Sequence, residues 1–260
     1  MQLYFQGLLL ILAAMVILWI VSIFLKNVSI VDLFWGTGFV MVNVFYFLKT
    51  EAFTIRPILL LVLVTMWGLR LSFYLAWRNI GKGEDFRYRE FRKKYGEKNY
   101  WWISLFQTFL LQGILMWIIS LPLFGVNLLS SHTGNLNLID YIGILFWIIG
   151  FIFEADGDYQ LAKFKLNLSN KGKVLNSGFW KYTRHPNYFG DAAVWWGYGI
   201  LCLAAGGYVY ILGSLVMTLL IIKVSGVALL EKTLKNQKPE YLDYIKNTNS
   251  FFPWFPKNRR

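Results

Sequence analysis

The chain has 260 residues, 57% of them hydrophobic and 15% charged, with a mean hydropathy of +0.46. That leaves too little polar surface for a water-soluble globular domain and reads as an integral membrane protein. The formal charge of +12 would suggest nucleic acid in a soluble chain, but here the basic residues sit in loops beside apolar runs. They fit membrane orientation and an anionic ligand, and no nucleic-acid partner is expected.

Residues 3–7, LYFQG, match the tail of a common engineered protease site. Residues 1–7 are therefore given no functional weight, and 8–260 are read as a single integral membrane domain. The first apolar run has no small-residue cleavage site and no basic flank before it, so no cleavable signal peptide is expected. Seven spans are predicted, at about 8–25, 28–48, 58–77, 103–128, 138–160, 187–205 and 208–230. The expected fold is all-α, a polytopic membrane helix bundle of about seven transmembrane helices.

Charge sets the orientation. Basic residues crowd 78–101, 163–185 and the tail from Lys232 to Arg260, whereas the opposite side carries only Lys49 and Arg56. An odd number of spans puts all three basic pieces on one face, and the positive-inside rule makes that face, with the C-terminus, cytoplasmic. The stretch GKGEDFRYREFRKKYG mixes basic and aromatic residues and suits an interfacial amphipathic segment.

Ionisable groups at membrane depth face a bundle interior or a water-filled cavity. Asp32 lies near the start of span two, as a first-turn acid or a substrate-side contact, and Arg70 in span three is a candidate partner for it or for the acids of span five. Glu154 and Asp158, four apart, share one helix face, with Asp156 between them. Their mutual repulsion calls for a cation, a hydrogen-bonding ligand or a helix end neutralised by Lys163 or Lys165. In TRHPNYFGD, a helix opening at Pro186 places Asn187, Asp191 and Trp195 at i, i+4 and i+8 on one stripe.

The single cysteine, Cys202, excludes an internal disulfide and a thiolate zinc site, and it reads as a buried apolar residue. His132 and His185, the only histidines, lack metal-ligand spacing, so no metal is expected. Neither a dinucleotide-binding glycine fingerprint nor a phosphate-binding loop is present. Lys165, Lys171 and Lys173 stand beyond the acidic helix end, where phosphates would be held electrostatically.

Five stretches carry a family resemblance: VDLFWGTGF, WGLRLSFYLAWRNIGKGEDFRYREFRKKYG, EADGDYQLAKFK, GFWKYTRHPNYFGDAAVWWGYG and VSGVALLEKTLKNQKPEYLDYIKNTNSFFPWFP. Together they resemble a bacterial, DUF1295-like branch of the steroid 5α-reductase family, related to sterol reductases and isoprenylcysteine carboxyl methyltransferases. The resemblance implies an NADPH pocket in the C-terminal half, opening to the cytoplasm of a bacterial inner-membrane protein. It assigns residues 8–101 to the substrate side and 102–260 to the cofactor.

On the same resemblance, Asn187, Asp191 and Trp195 meet the cofactor, Asp158 is a pocket acid, and Lys165 and Lys173 hold phosphates. Glu154 falls where the steroid enzymes have Asn. Arg184, His185 and Tyr188 form the rim, Tyr241 and Tyr244 lie in the closing motif, and Glu231 is the lone acid of the C-terminal signature. Asp32 and Tyr74 stand nearest the Glu and Tyr that polarise the substrate ketone in the steroid enzymes. The expected activity is NADPH-dependent reduction of a C=C bond conjugated to a carbonyl in a lipidic substrate. The protein's partners would be that substrate and the bilayer, with no obligate protein partner. Two alternatives stay open: a membrane methyltransferase using S-adenosylmethionine, and a non-catalytic lipid or sterol binder.

Overall fold

In the computed structural model, residues 2–51, 53–130, 135–225, 227 and 240–256 are described. Every regular element among the described residues is a helix. Five of these helices are long and apolar enough to cross a membrane: Gln2–Leu25, Ile30–Lys49, Ile55–Asn79, Glu97–Ile119 and Leu138–Leu166. The chain groups into two compact units, Met1–Leu136 with Ala205–Tyr210, and Asn137–Ala204 with Ile211–Arg260. Glu231 and His132 lie outside the described residues.

The first unit contains α1 (Gln2–Leu25), α2 (Ile30–Lys49), α3 (Ile55–Asn79), α4 (Phe86–Tyr95), α5 (Glu97–Ser104), a π-helical stretch Leu105–Leu110, α6 (Leu111–Ile119) and α7 (Leu121–Leu129). Helices α2 and α3 touch through glycine. A Cβ on Gly36 would stand 2.2 Å from the Gly68 carbonyl oxygen, and one on Gly68 2.6 Å from that of Gly36. Such backbone approach is how apolar helices gain packing energy where lipid competes for their side chains. A buried amide pair ties α7 to α2: Asn127 Nδ2 donates to Asn43 Oδ1 at 3.0 Å and to the Leu123 carbonyl at 2.8 Å. Span four, predicted as continuous over 103–128, is instead two helices parted at Ser120. Pro122 has no N–H to offer the carbonyl of Ile118, so the ladder stops there and restarts as α7.

The second unit contains α8 (Leu138–Leu166), 3₁₀ turns at Leu168–Asn170 and Gly178–Lys181, α9 (Pro186–Ala204), α10 (Leu212–Leu219) running into a π-helical turn Leu220–Ser225, and α11 (Glu240–Asn247). A capping box opens α8: the Asn137 side chain accepts from the Asp140 backbone while the Asp140 side chain accepts from Asn137 N. Pro186 begins α9, as its fixed φ and missing N–H favour.

Glycines seven apart on each helix form the α8–α9 seam: Gly143, Gly150 and Gly157 on α8, Gly190 and Gly197 on α9. A Cβ on Gly150 would lie 2.5 Å from Val194 N, and one on Gly190 only 2.3 Å from Glu154 N. The glycines therefore bring the two backbones into direct contact, and residues flanking the seam converge on one place. Ser214 on α10 closes against α9, its hydroxyl donating to the Trp195 carbonyl at 2.5 Å.

Candidate functional site

The seam gathers the polar residues of α8 and α9. Glu154 and Asp158 are 2% and 5% exposed on adjacent turns of α8. Asn187, in the first turn of α9, donates from Nδ2 to Asp158 Oδ1 at 3.1 Å, while its Oδ1 accepts from Tyr188 N at 3.1 Å. Gly157 lies under this turn, with a Cβ position 3.2 Å from Asn187 N. Trp195 is fully buried two turns further on, its ring edge-on to Tyr198. Tyr198 takes a hydrogen bond from Trp147 Nε1 at 3.1 Å. Three carboxylates, an amide, an indole and a phenol are thus brought together in one helix pair, with Asn187 and Asp191 half-buried.

At the end of α9, His185 is 2% exposed and its ring stacks on Tyr188 at 5.6 Å. Arg184 reaches the C-terminal segment: its guanidinium donates to the carbonyls of Thr248 and Ile245, and its backbone N to that of Asn249. Thr183 Oγ1 meets the Phe251 and Ser250 carbonyls at 2.8 and 3.2 Å. The Tyr244 hydroxyl donates to the Trp180 carbonyl, and burial, reinforced by Tyr241 beside it, pushes that phenol above its ordinary value. Residues 244–254 are in this way fastened over the 180–185 segment. A cleft of about 290 Å³ lies beside that clamp, lined by Asn176, Lys181, Asp243, Tyr244, Asn247 and Thr248 together with Val174 and Pro256. Lys165, in the last turn of α8, and Lys173, beyond it, are both exposed. Gln160 supports the loop that follows, donating to Asp156 at 2.6 Å and accepting from Phe179 N at 3.0 Å.

Asp32 and Tyr74 belong to the first unit. Both Asp32 oxygens are engaged, by Arg87 at 2.6 Å and by the Tyr88 hydroxyl at 2.7 Å. The guanidinium on Asp32 is therefore that of Arg87. Gln112 donates to Tyr88 in turn at 3.2 Å. Burial, and then the Asp32 charge, hold the Tyr88 phenol well above its usual range. Arg87 also binds Asp85; burial acts to raise that carboxyl, but the Arg87 contacts outweigh it and leave it below its ordinary value. Tyr74 is half-buried beside Trp77, with the Arg78 guanidinium 5.6 Å from its ring centre.

Residues 18–248 match the family described as "Protein of unknown function (DUF1295)". The chain belongs to the DUF1295 family. An uncharacterized protein of Schizosaccharomyces pombe is 25% identical over 202 residues, which are 69% of this chain and 58% of that protein. A probable O-methyltransferase of Ustilaginoidea virens, ustE, is 37% identical over 84 residues, 31% of this chain and 28% of that protein. The matches thus span less than two thirds of either relative's length. No solved structure matches.

Sequence reasoning named the α8–α9 acids and the Asn187 stripe but not the glycine register that joins them, nor Tyr88 and Arg87 as the partners of Asp32. The first signal was present as a seven-residue glycine spacing on both helices. The second pairs residues 55 and 56 positions apart, a distance that no local pattern encodes.

Proposed function

We propose that this DUF1295 protein is a membrane-embedded, NADPH-dependent reductase of a C=C bond conjugated to a carbonyl in a lipidic, steroid-like or isoprenoid-like substrate, of the steroid 5α-reductase type. In this reading it is a seven-span protein of a bacterial inner membrane with its basic loops cytoplasmic. The observation that carries the reading is the Asp158–Asn187 hydrogen bond within a buried group of carboxylates on a glycine seam. Buried polar side chains gathered on one intramembrane face fit a ligand rich in hydroxyl and amide groups.

NADPH fits the donor set. Asp158, Asp191 and Glu154 offer acceptors for ribose hydroxyls and a carboxamide, Asn187 offers both donor and acceptor, and Lys165 and Lys173 offer cations for phosphates. Trp195, Tyr188 and His185 supply flat surfaces for ring packing. Bound NADPH would supply the hydride. The chain's part is to hold the carbonyl oxygen where negative charge develops and to keep water from the reacting carbon. Asp32 and Tyr74 are the candidates for that oxygen; of these, Asp32 already accepts hydrogen bonds at both of its oxygens.

A second reading is an S-adenosylmethionine-dependent methyltransferase; the 84-residue similarity to the probable O-methyltransferase is compatible with it. A wall of carboxylates also suits a cationic methyl donor. Titration of detergent-purified protein with NADPH, NADH and S-adenosylmethionine separates the two. NADPH binding that is lost in Asn187→Ala and Asp191→Ala supports the reductase. Binding of S-adenosylmethionine alone overturns it, and binding of none moves the assignment to a lipid binder.

A further inference from the structure

The segment between α3 and α5 divides its cations between two faces. The inward arginines are neutralised within the protein. Arg87 lies on Asp32 and Asp85, and Arg92 forks onto Glu84 at 2.8 and 2.9 Å while its guanidinium covers the Tyr100 ring at 4.9 Å. Glu84 in turn accepts from Val28 N, and Ser29 Oγ accepts from Asp85 N; with Arg87 and the Tyr88 hydroxyl on Asp32, the segment is bound to residues 28–32 at four points. It is a fixed shelf rather than a loose loop.

The outer face has a different composition. Lys82, Arg89, Lys94 and Lys98 are exposed, and among the described residues none of them forms an ion pair. The acids on this face are Glu90, already paired with Lys93 at 2.8 Å, and Glu97. Cations are therefore in excess. Interleaved with them are exposed aromatics: Phe86 at 46%, Trp101 at 51% and Trp102 at 46%. The shelf's height is fixed by its neighbours. It joins the C-terminal end of α3 to the N-terminal end of the Glu97–Ile119 helix, both long and apolar enough to cross a membrane, and it is bonded to the N-terminal end of α2. Trp101 also stacks on Trp19 near the end of α1 and accepts from its indole at 2.7 Å. Four helix ends meet this level, which is where a bilayer keeps its headgroups.

We propose that the outer face of α4, with Lys82 and Lys98 flanking it, is a binding surface for the phosphates of anionic phospholipids in the surrounding leaflet. Arg89, Lys94 and Lys98 meet the phosphates, and Phe86, Trp101 and Trp102 settle among the glycerol and upper acyl groups. Zwitterionic lipid lacks the net charge that the excess cations require. A free phosphate lacks the acyl chains that the aromatics require. The assignment does not depend on the reductase reading.

The test uses full-length protein in detergent, titrated with phosphatidylglycerol, phosphatidylcholine or inorganic phosphate and followed by thermal unfolding. Phosphatidylglycerol alone should stabilise it, and less so as salt is raised. The variant Arg89→Gln/Lys94→Gln/Lys98→Gln should weaken that effect by about fivefold per cation removed. Because a triple variant can misfold, amide exchange over 86–98 is also compared for the unaltered protein in nanodiscs with and without phosphatidylglycerol, with several-fold slower exchange expected in its presence. Equal stabilisation by phosphatidylcholine, equal stabilisation by inorganic phosphate, or exchange indifferent to the anionic lipid would each overturn the proposal.

Discussion

Asn187 donates to Asp158 across the α8–α9 seam, at 3.1 Å. This one bond fastens the first turn of α9 to an acid that is 5% exposed and that would otherwise lack the amide's donor. Asn187→Ala removes a hydrogen bond to a charged group and should cost about 1.5–3 kcal/mol of stability. Asn187→Asp faces Asp158 with a second carboxylate and should cost more. If the pair also holds NADPH, Asn187→Ala will weaken its binding about 10- to 100-fold, a loss greater than the fall in thermal midpoint explains. Titration at a temperature where both proteins are folded separates the two effects.

The glycine seam makes a steric prediction that needs no ligand. Gly190→Ala places a Cβ 2.3 Å from Glu154 N, against backbone that has no side-chain freedom to yield. Overpacking of this kind costs about 3 kcal/mol or more. Gly206→Ala is the contrast: nothing lies within 4 Å of its Cβ, and only its φ of +86° opposes the change, at about 1–2 kcal/mol. Denaturation in one detergent should rank the two in that order. A Gly190→Ala protein as stable as the parent would mean that the helices are further apart than described.

These two cases also show how far the sequence could be read. The helical class, the start of α9 at Pro186 and the shared face of Glu154 and Asp158 follow from composition, proline chemistry and the 3.6-residue period, all of which are local. The break at Ser120 was hidden because a hydrophobic run looks alike whether it holds one helix or two, although Pro122 marked it. The partners of Asp32 were hidden for a deeper reason. Arg87 and Tyr88 lie in a basic stretch that reads as an interfacial amphipathic segment, and only the folding of 80–96 back onto α2 turns one face of it inward. The closeness of Gly190 to Glu154 likewise depends on which helix α9 meets, and spacing alone does not name the partner.

The Asp32–Arg87 pair separates a positioning role from a catalytic one. The side chains are 17% and 33% exposed, so the pair is screened in part and its coupling should be about 1 kcal/mol, readable in a double-mutant cycle with Asp32→Asn and Arg87→Gln. Residues 80–96 should then exchange amides faster in either single variant. Should Asp32→Asn lower turnover of a lipid enone much more than Arg87→Gln does, Asp32 would carry chemistry beyond holding the shelf. Equal, modest losses fit positioning, and Tyr74→Phe should then show the larger fall in turnover.

The shelf has a pH dependence of fixed sign. Arg87 holds the Asp85 carboxyl below its ordinary value near 3.9 despite burial. A carboxylate whose folded pKa is depressed contributes stability that is present above its unfolded value and is lost as pH falls through the folded one. Anchoring of 80–96 should therefore be unchanged from neutrality down to about pH 5 and weaken below about pH 4. Asp85→Asn should reduce that dependence without abolishing it, because Asp32 on Arg87 and Glu84 on Arg92 are carboxylates that hold the same stretch. Amide exchange over 80–96, corrected for the intrinsic pH dependence of exchange and compared between the parent and Asp85→Asn, reads this directly. Weakening that begins near neutrality would instead point to a group titrating there, and the Asp85–Arg87 contact would not be its cause.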